Sequence, residues 1–333
     1  MSIRIIKQGI ADSMQDTGRY GYQHMGINPG GAMDTLAAQK ANLLVGNDAN
    51  EAVIEIHFPA SSFLFTSDAV IAMSGADFSA AVNDIPVPVN TTLIVAKNSL
   101  LQFKKINDGA RIYLAAKGGF DIPKWLGSYS TNVVAGAGGF NGRFLKKDDE
   151  ILLRHNDDLS ELLTKNSFIE LSLKANSTNF NSSPGIIRII KGNEWDWLTE
   201  ESKQKYIDSP YIITPQSNRM GYRMHGEALQ TITSRQLIST AVTNGTIQLL
   251  PNGQLIILMA DHQTTGGYPR IGHVIAVDIP TLAQMQMNSA IRFRFIDIKE
   301  AEDLFINQHD YLLSLKNECN FYLDEYFRQH KFN

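Results

Sequence analysis

The pentapeptide IRIIK occurs twice in this chain of 333 residues, at residues 3–7 and at residues 187–191. Each copy is followed by the spacing Arg-x-Gly-Tyr-x-x-x-Gly, which begins at Arg19 in the first half and at Arg219 in the second. The glycine motifs are farther apart than the pentapeptides, so the second half carries an insertion between its two signatures. Matches this short can arise by chance, but these recur in the same order. We therefore favour an ancient duplication, which predicts two halves of similar fold.

Short apolar runs bounded by Gly, Asn, Asp or Pro dominate both halves, as in AVIAMSGADF (69–78) and GTIQLLPNG (245–253). Such runs are typical of β-strands. Helical patterns are few. Asp34 and Thr199 are candidate N-caps of short helices, and Asp297-x-x-Glu300 has the spacing of a capping box at the start of a C-terminal helix. Halves built from short strands with few helices predict tandem β-barrels and not alternating β-α units.

A segment rich in Asn and Ser, LKANSTNFNSSPG (173–185), comes just before the second pentapeptide and has the composition of a linker. We predict a first barrel domain over residues 1–175, a second over 186–296 and a C-terminal helical extension over 297–333. The apolar stripe of that helix is expected to pack on the second barrel, with a partner's surface as the alternative.

The composition excludes several classes of function. A hydrophobic content of 43% and a charged content of 19% are those of a soluble globular protein. The net charge is −4 and no basic run stands out, which argues against nucleic acid as a partner. No apolar stretch approaches the ~20 residues of a membrane span, and the N-terminus lacks the apolar core of a signal peptide. Cys319 is the single cysteine, so no internal disulfide can form, and we predict a cytoplasmic protein.

The strongest candidate for a functional site is ADHQTTGGYPRIGHV (260–274), which follows an apolar strand pattern. It combines proton-transfer groups, amide and hydroxyl side chains, and a glycine pair whose N–H groups could face an oxyanion. An ordinary polar turn is the alternative. The candidates in this segment are Asp261, His262, Gln263, Thr264, Thr265, Gly266, Gly267 and Tyr268.

A second candidate is QSNRMGYRMHG (216–226), in which the planar guanidinium of Arg219 suits a carboxylate or phosphate, and Gly221 and Tyr222 would shape the turn. The matching first-half segment contains three further polar candidates. Asp16 and Arg19 could equally form a structural pair within their loop. The first-half candidates are Gln15, Asp16 and Arg19.

Several familiar signatures are missing from the sequence. It contains no phosphate-binding Gly-x4-Gly-Lys-Ser/Thr loop, and GAGGFNGRF (136–144) has Asn141 where a dinucleotide motif needs its last glycine. The histidines lack metal-ligand spacing, so no metal site is expected. No Gly-x-Ser-x-Gly nucleophile elbow occurs.

Long segments of the chain resemble the allophanate hydrolase subunit 2-like family, also called the KipA family. They are QDTGRYGYQHMGINPGGAMD, ANLLVGN, YLAAKGGFDIPKWLGSYST, SNRMGYRMHG and MADHQTTGGYPRIGHVIAVDIPTLAQ. The resemblance covers about residues 3–296, and it implies a mainly β fold of tandem cyclophilin-like barrels. The family includes the C subunit of 5-oxoprolinase, the biotin-dependent carboxyltransferase region of urea carboxylase, and a regulatory protein that antagonises a kinase inhibitor.

Among these activities, the resemblance favours a subunit of an ATP-dependent 5-oxoprolinase, which opens a lactam to glutamate. It implies that ATP is bound with or by a companion subunit, that this companion is a KipI-like allophanate hydrolase subunit 1 protein, and that biotin is needed only under the carboxyltransferase alternative. Under this resemblance Arg219 would hold the substrate, Gln263, Thr264 and Thr265 would cradle the carbonyl, and Asp261 would accept a proton.

The chain departs from the family pattern at two site positions. Asn218 replaces an aspartate, and His262 stands where arginine is common. The site is therefore expected to work on a substrate that can differ from those of its relatives.

Overall fold

A computed structural model describes residues 1–155, 159–163, 166–176, 180, 185–233 and 237–330. The chain divides into two compact units: unit 1 comprises Met1–Gly18, Asp34–Thr178 and Asp310–Asn333, and unit 2 comprises Arg19–Met33 and Asn179–His309. Two segments thus depart from a simple division into halves, because Arg19–Met33 belongs to unit 2 and the chain from Asp310 on belongs to unit 1. The domain bounds 1–175, 186–296 and 297–333 stay a prediction, and residues 177–179 and 181–184 of the predicted linker lie outside the described residues.

Unit 1 is built mainly from short strands, as the apolar runs predict. Its described strands are β1 (Ser2–Lys7), β2 (Ser13–Gln15), β3 (Val53–Ile56), β4 (Ser62–Phe65), β5 (Ala69–Asp77), β6 (Ala80–Val82), β7 (Ile85–Pro86), β8 (Thr91–Val95), β9 (Leu100–Phe103), β10 (Asp108–Ala116), β11 (Glu150–Leu152) and β12 (Phe168–Lys174). Its helices are α1 (Thr35–Leu44) and α2 (Ser160–Leu163).

These strands form two six-stranded sheets, in the orders β11-β1-β4-β9-β6-β7 and β12-β8-β5-β10-β3-β2. Alternate residues of each strand face one shared core, which includes Ile3 and Phe63 from the first sheet and Ile71 and Leu114 from the second. The helix α1 begins where the sequence predicts, because the Asp34 carboxylate accepts a hydrogen bond of 2.8 Å from the backbone N–H of Ala37.

Unit 2 contains the closed β-barrel. Its described strands are β13 (Ile186–Lys191), β14 (Tyr211–Ile213), β15 (Gly221–His225), β16 (Thr240–Ala241), β17 (Thr246–Leu249), β18 (Leu255–Leu258), β19 (Thr265–Gly266), β20 (Arg270–Val274) and β21 (Ala290–Phe295), and its helices are α3 (Glu200–Asp208) and α4 (Ile279–Ala283). Seven strands close in the order β13-β20-β17-β18-β15-β14-β21, while β16 and β19 form a separate two-stranded sheet. The barrel closes where β13 and β21 run parallel. Thr199 caps α3 by accepting a 3.2 Å hydrogen bond from the N–H of Ser202, as predicted.

The two copies of the pentapeptide both form strands, β1 and β13, and each directs its first and third residues inward. The arginine between those residues differs in environment. Arg4 pairs with Asp148 in solvent, with 50% and 59% of the two side chains exposed. Arg188 pairs with Asp278 at 7% and 0% exposure. The same local pattern therefore gives the same strand but not the same surroundings.

A long C-terminal helix, α5 (Ile298–Gln329), begins at the predicted capping residue, since Asp297 accepts a 2.7 Å hydrogen bond from the N–H of Glu300. Its buried residues are Leu315, Cys319 and Leu323. The expectation that its apolar stripe packs on the second half is wrong for this part of the helix: Leu323 lies 3.1 Å from the position a Cβ would take at Gly46, in unit 1. None of the described helices is long and apolar enough to cross a membrane.

The predicted fold class is confirmed. The protein is mainly β with few helices, a closed barrel and a C-terminal helix. The prediction of a closed barrel holds for unit 2, whereas the strands of unit 1 are divided between two sheets.

Candidate functional site

A cleft of about 480 Å³ opens on the outer wall of the unit 2 barrel. Strands β15, β18 and β17 are neighbours in this wall, and the register aligns Arg223 with Ile256 and Ile256 with Gln248. These three residues face outward, since the residues that alternate with them lie in the barrel core. The residues lining the cleft are Gln216, Asn218, Met220, Gly221, Arg223, Gln248, Leu250, Pro251, Asn252, Ile256, Gln263 and Tyr268.

The lining of the cleft is rich in carboxamides and carries a single positive charge. It contains one cation, Arg223, and no carboxylate. The Arg223 guanidinium has no hydrogen bond or ion pair with any residue in the described part of the chain. Such a surface suits a small polar ligand that carries a negative charge beside an amide. The carboxamides are Gln216, Asn218, Gln248, Asn252 and Gln263.

Gln248 was not among the residues singled out from the sequence, yet it is the most unusual side chain of the cleft. It is fully buried, and within the described ranges neither Oε1 nor Nε2 has a hydrogen-bond partner. A buried polar group without a partner costs about 1–3 kcal/mol, and this side chain contains two. The signal in the sequence is a glutamine inside an apolar run, TIQLL, where alternation places it on the opposite face from Ile247 and Leu249.

Gly266 covers this carboxamide from above. A Cβ at Gly266 would lie 2.4 Å from Nε2 of Gln248, so any larger residue at this position would displace the carboxamide. Gly266 belongs to β19, which pairs with β16 through Thr240 and Ala241. The backbone of the candidate segment 260–274 thus packs against the side chain of Gln248.

Arg219 and Asp261, both predicted to contact substrate, pair with each other. Nε of Arg219 donates to Oδ2 of Asp261 at 2.8 Å and Nη2 donates to Oδ1 at 3.1 Å, while Nη2 also donates to the carbonyl of Gly31 at 2.5 Å. The backbone N–H of Asp261 donates to the carbonyl of Arg219 at 2.8 Å. These bonds tie the two candidate segments of unit 2 to each other and to the Gly30–Gly31 turn.

Arg19 lies beside the same turn. A Cβ at Gly30 would be 3.0 Å from Nη1 of Arg19 and 3.6 Å from Oδ1 of Asp261, and Gly30 has a φ of +63°. Arg19 is buried, and its backbone N–H donates to the carbonyl of Pro29 at 2.8 Å. The arginines of the two glycine motifs therefore converge within unit 2.

His262 anchors the start of the candidate segment. Burial lowers the pKa of His262, against the opposing effect of its hydrogen bond to the Gln263 carbonyl. Because Nδ1 lies 2.6 Å from that carbonyl oxygen, which can only accept, Nδ1 carries a proton and donates it. This contact fixes the backbone from which Gln263 reaches the cleft.

The other predicted residues of unit 2 occupy different surroundings. Gln263, Tyr268 and Gly221 line the cleft. Thr264 is half-buried, and Thr265 and Gly267 are exposed. Tyr222 is fully buried in the barrel core, so its side chain packs inside the barrel and does not reach the cleft.

Gln15 and Asp16 belong to unit 1 and are buried there. The Asp16 carboxylate accepts hydrogen bonds from the hydroxyls of Ser128 and Ser130 and from the N–H groups of Gly18 and Tyr129, at 2.5–2.8 Å. Four donors occupy its acceptor sites, which is the pattern of a carboxylate that organises a loop. Nε2 of Gln15 donates to the Ser13 hydroxyl at 2.9 Å.

Within the described ranges, no group of three or more His, Cys, Asp or Glu side chains could hold a metal ion.

Comparison with known proteins gives the family. Residues 25–295 match the family described as carboxyltransferase domain, subdomain A and B. The chain is 36% identical over 299 residues to the C subunit of 5-oxoprolinase from Escherichia coli, an alignment that spans 90% of this chain and 93% of that protein. It is 32% identical over 238 residues to urea amidolyase of Saccharomyces cerevisiae, covering 68% of this chain but 12% of that much longer protein.

The solved structures agree with the sequence matches. The Kluyveromyces lactis urea carboxylase superposes with a TM-score of 0.84 at 26% identity, over 94% of this chain and 29% of that one. The resemblance to the C subunit of 5-oxoprolinase and to the carboxyltransferase region of urea carboxylase is thereby confirmed. The chain belongs to the carboxyltransferase domain family.

Proposed function

We propose that this chain is a subunit of an ATP-dependent 5-oxoprolinase and that the cleft on its second barrel receives the lactam. The observation that carries the proposal is the lining of the cleft, in which carboxamides surround a guanidinium that has no partner in the described part of the chain. The 5-oxoproline molecule carries one amide and one carboxylate, so it matches both features. The relative from Escherichia coli, a 5-oxoprolinase component aligned over 93% of its length, supports the same assignment.

Opening the lactam requires that water add to the carbonyl carbon, that the C–N bond break and that the nitrogen leave with a proton. Amide resonance makes this carbonyl a poor electrophile, and ATP, bound with or by a companion subunit, would supply the activation. We assign the positioning of the carbonyl to Gln263, Thr264 and Thr265, with N–H groups of Gly266 and Gly267 as candidate donors to the developing oxyanion.

The pairing of Arg219 with Asp261 changes the roles suggested by the sequence. Both carboxylate oxygens of Asp261 accept hydrogen bonds from the guanidinium, and Asp261 is not among the residues that line the cleft. We therefore assign this pair to positioning the loop, while Arg223 takes over the binding of the substrate carboxylate. Tyr222 and Arg19 would support the site through packing and loop structure within unit 2, whereas Gln15 and Asp16 would organise a loop of unit 1.

The companion would be a KipI-like allophanate hydrolase subunit 1 protein, and the assembled enzyme would work in the cytoplasm, where ATP is available. The alternative function is transfer of a carboxyl group from carboxybiotin to urea, which the urea amidolyase relatives favour. Urea carries no carboxylate, so under that alternative Arg223 would have no anionic group of the acceptor to bind. This difference favours the lactam.

The test is to purify the chain alone and together with its companion subunits, and to measure ATP hydrolysis that depends on 5-oxoproline. We expect turnover by the complex and none by the isolated chain. A parallel assay supplies urea and a carboxybiotin carrier. Carboxylation of urea without any lactam-dependent ATP hydrolysis would replace the proposal by the alternative.

A further inference from the structure

We propose that Gln248 selects the substrate by pairing edge to edge with a cis-amide, and that Arg223 holds the carboxylate of the same molecule. This inference rests on the proposed function and names the groups that recognise the substrate at that site. Neither residue was singled out from the sequence, and both line the cleft.

The first step is that Gln248 has an unused donor and an unused acceptor. Its Nε2 and Oε1 are buried and have no hydrogen-bond partner in the described part of the chain. Buried polar side chains in folded proteins almost always have partners. A carboxamide left without them on the wall of a cleft is available to pair with a ligand.

The second step is the geometry of that ligand. A carboxamide presents its N–H donor and its carbonyl acceptor side by side along one edge. A lactam ring forces its amide to be cis, so its N–H and C=O also lie side by side and can form two hydrogen bonds to one carboxamide. An open-chain secondary amide is trans, with the two groups on opposite sides, and can form only one. Gln248 therefore discriminates in favour of a cyclic amide.

The third step is the spacing of the two residues. Arg223 and Gln248 are each aligned with Ile256, on the strands that flank β18. Neighbouring strands lie about 4.8 Å apart, so the Cα atoms of Arg223 and Gln248 are roughly 10 Å apart on one face of the wall. A five-membered lactam with a carboxylate fits between the two side chains, and the apolar side chain of Ile256 lies beneath its ring carbons.

The fourth step concerns the strand β19, whose backbone lies against Gln248. The backbone of Gly266 lies next to Nε2 of Gln248, and a Cβ there would displace the carboxamide. The two residues of β19 are paired with β16 alone among the described strands. Entry of the substrate amide requires this short strand to shift so that the ligand fits between Gln248 and the backbone of Gly266, whose N–H then faces the ligand carbonyl.

The experiment uses the assembled complex with Gln248→Leu, which removes both polar atoms and leaves an apolar side chain that is one atom shorter. We expect kcat/KM for 5-oxoproline to fall roughly 10–100-fold, because two hydrogen bonds to the substrate are lost. The melting temperature should stay the same or rise, since the variant no longer buries an unpaired amide. Gln204→Leu, on the exposed surface of α3, is the matched control and should leave the kinetics unchanged.

Two substrate analogues separate recognition from a structural role. N-methyl-5-oxoproline lacks the amide N–H, so the preference of the wild type for 5-oxoproline over it should disappear in Gln248→Leu. The lactam 2-pyrrolidinone lacks the carboxylate, so Arg223→Gln should weaken the use of 5-oxoproline about 10–100-fold while leaving that of 2-pyrrolidinone unchanged. If Gln248 has only a structural role, the preference for 5-oxoproline over N-methyl-5-oxoproline will be the same in Gln248→Leu as in the wild type, which would overturn the inference.

Binding of the same compounds to the complex, measured by calorimetry, keeps the two proposals apart. If the wild type turns over 5-oxoproline and Gln248→Leu does so with the same kcat/KM, the inference is overturned and the proposed function stands. Lactam binding that Gln248→Leu abolishes, in a complex without turnover, supports the inference and overturns the function. Absence of both turnover and lactam binding overturns the two together.

Discussion

The buried ion pair between Arg188 and Asp278 offers a direct measure of what burial does to a salt bridge. Asp278 accepts hydrogen bonds from the backbone N–H of Arg188 at 2.7 Å and from Nη2 at 2.5 Å, and its side chain is fully buried. The change Asp278→Ala leaves the Arg188 guanidinium in the protein interior. Of its hydrogen bonds to described residues, only that from Nη2 to the carbonyl of Phe180, at 2.9 Å, then remains.

Removing one partner of a buried pair costs about 3–5 kcal/mol, because the other charge stays buried without compensation. The chain contains its own control. Arg4 occupies the same position in the first copy of the pentapeptide, and its partner Asp148 is 59% exposed. Water replaces the lost carboxylate there, so loss of this ion pair should cost less than about 1 kcal/mol, and alanine at the left-handed φ of +70° adds about 1 kcal/mol.

The measurement is thermal unfolding of the two variants beside the wild type. A loss of 1 kcal/mol lowers the melting temperature of a protein of 333 residues by roughly 1.4 °C, so we expect a decrease of about 4–7 °C for Asp278→Ala and at most about 3 °C for Asp148→Ala. Asp278→Asn, which can still accept hydrogen bonds, should fall between them. Equal decreases for the two alanine variants would refute the reasoning, since burial would then not determine the cost.

Buried or paired groups elsewhere in the chain give three further predictions. Burial raises the pKa of Asp12 to about 6, above its ordinary value of 3.8, so between these pH values the native state binds more protons than the unfolded state. The free energy of unfolding of the wild type, measured by urea titration relative to Asp12→Ala, should therefore fall by up to about 3 kcal/mol as the pH rises from 4 to 7. A difference that does not change with pH would contradict this prediction. Burial raises the pKa of the Cys319 thiol to about 12, so a thiol reagent should react at least about 100-fold more slowly with native than with urea-unfolded protein, and similar rates would mean that the thiol is accessible. In a double-mutant cycle for stability, Arg219→Ala and Asp261→Ala should couple by about 0.5–3 kcal/mol, whereas additive losses would show that the two side chains act separately.

Local features of the fold could be predicted from the sequence because their causes are local. An N-cap depends on one side chain and an N–H three residues later, so Asp34, Thr199 and Asp297 mark the starts of their helices without any knowledge of the tertiary structure. Alternation along a strand has the same short range, and both copies of the pentapeptide form strands with their first and third residues inside. The family could also be recognised from contiguous motifs.

The surroundings of each residue were decided by the tertiary structure. Arg219 and Asp261 are 42 residues apart in the chain and read as separate functional groups, but the barrel brings them into one ion pair. Gln248 has the alternation of an outward-facing strand residue, but in the folded chain it lies next to the backbone of Gly266 as a buried carboxamide without a partner among the described residues. The physical reason is that burial and hydrogen bonding are set by residues dozens of positions away. The sequence by itself determines where strands and helices begin, whereas the closure of the barrel determines which polar groups are left for a ligand.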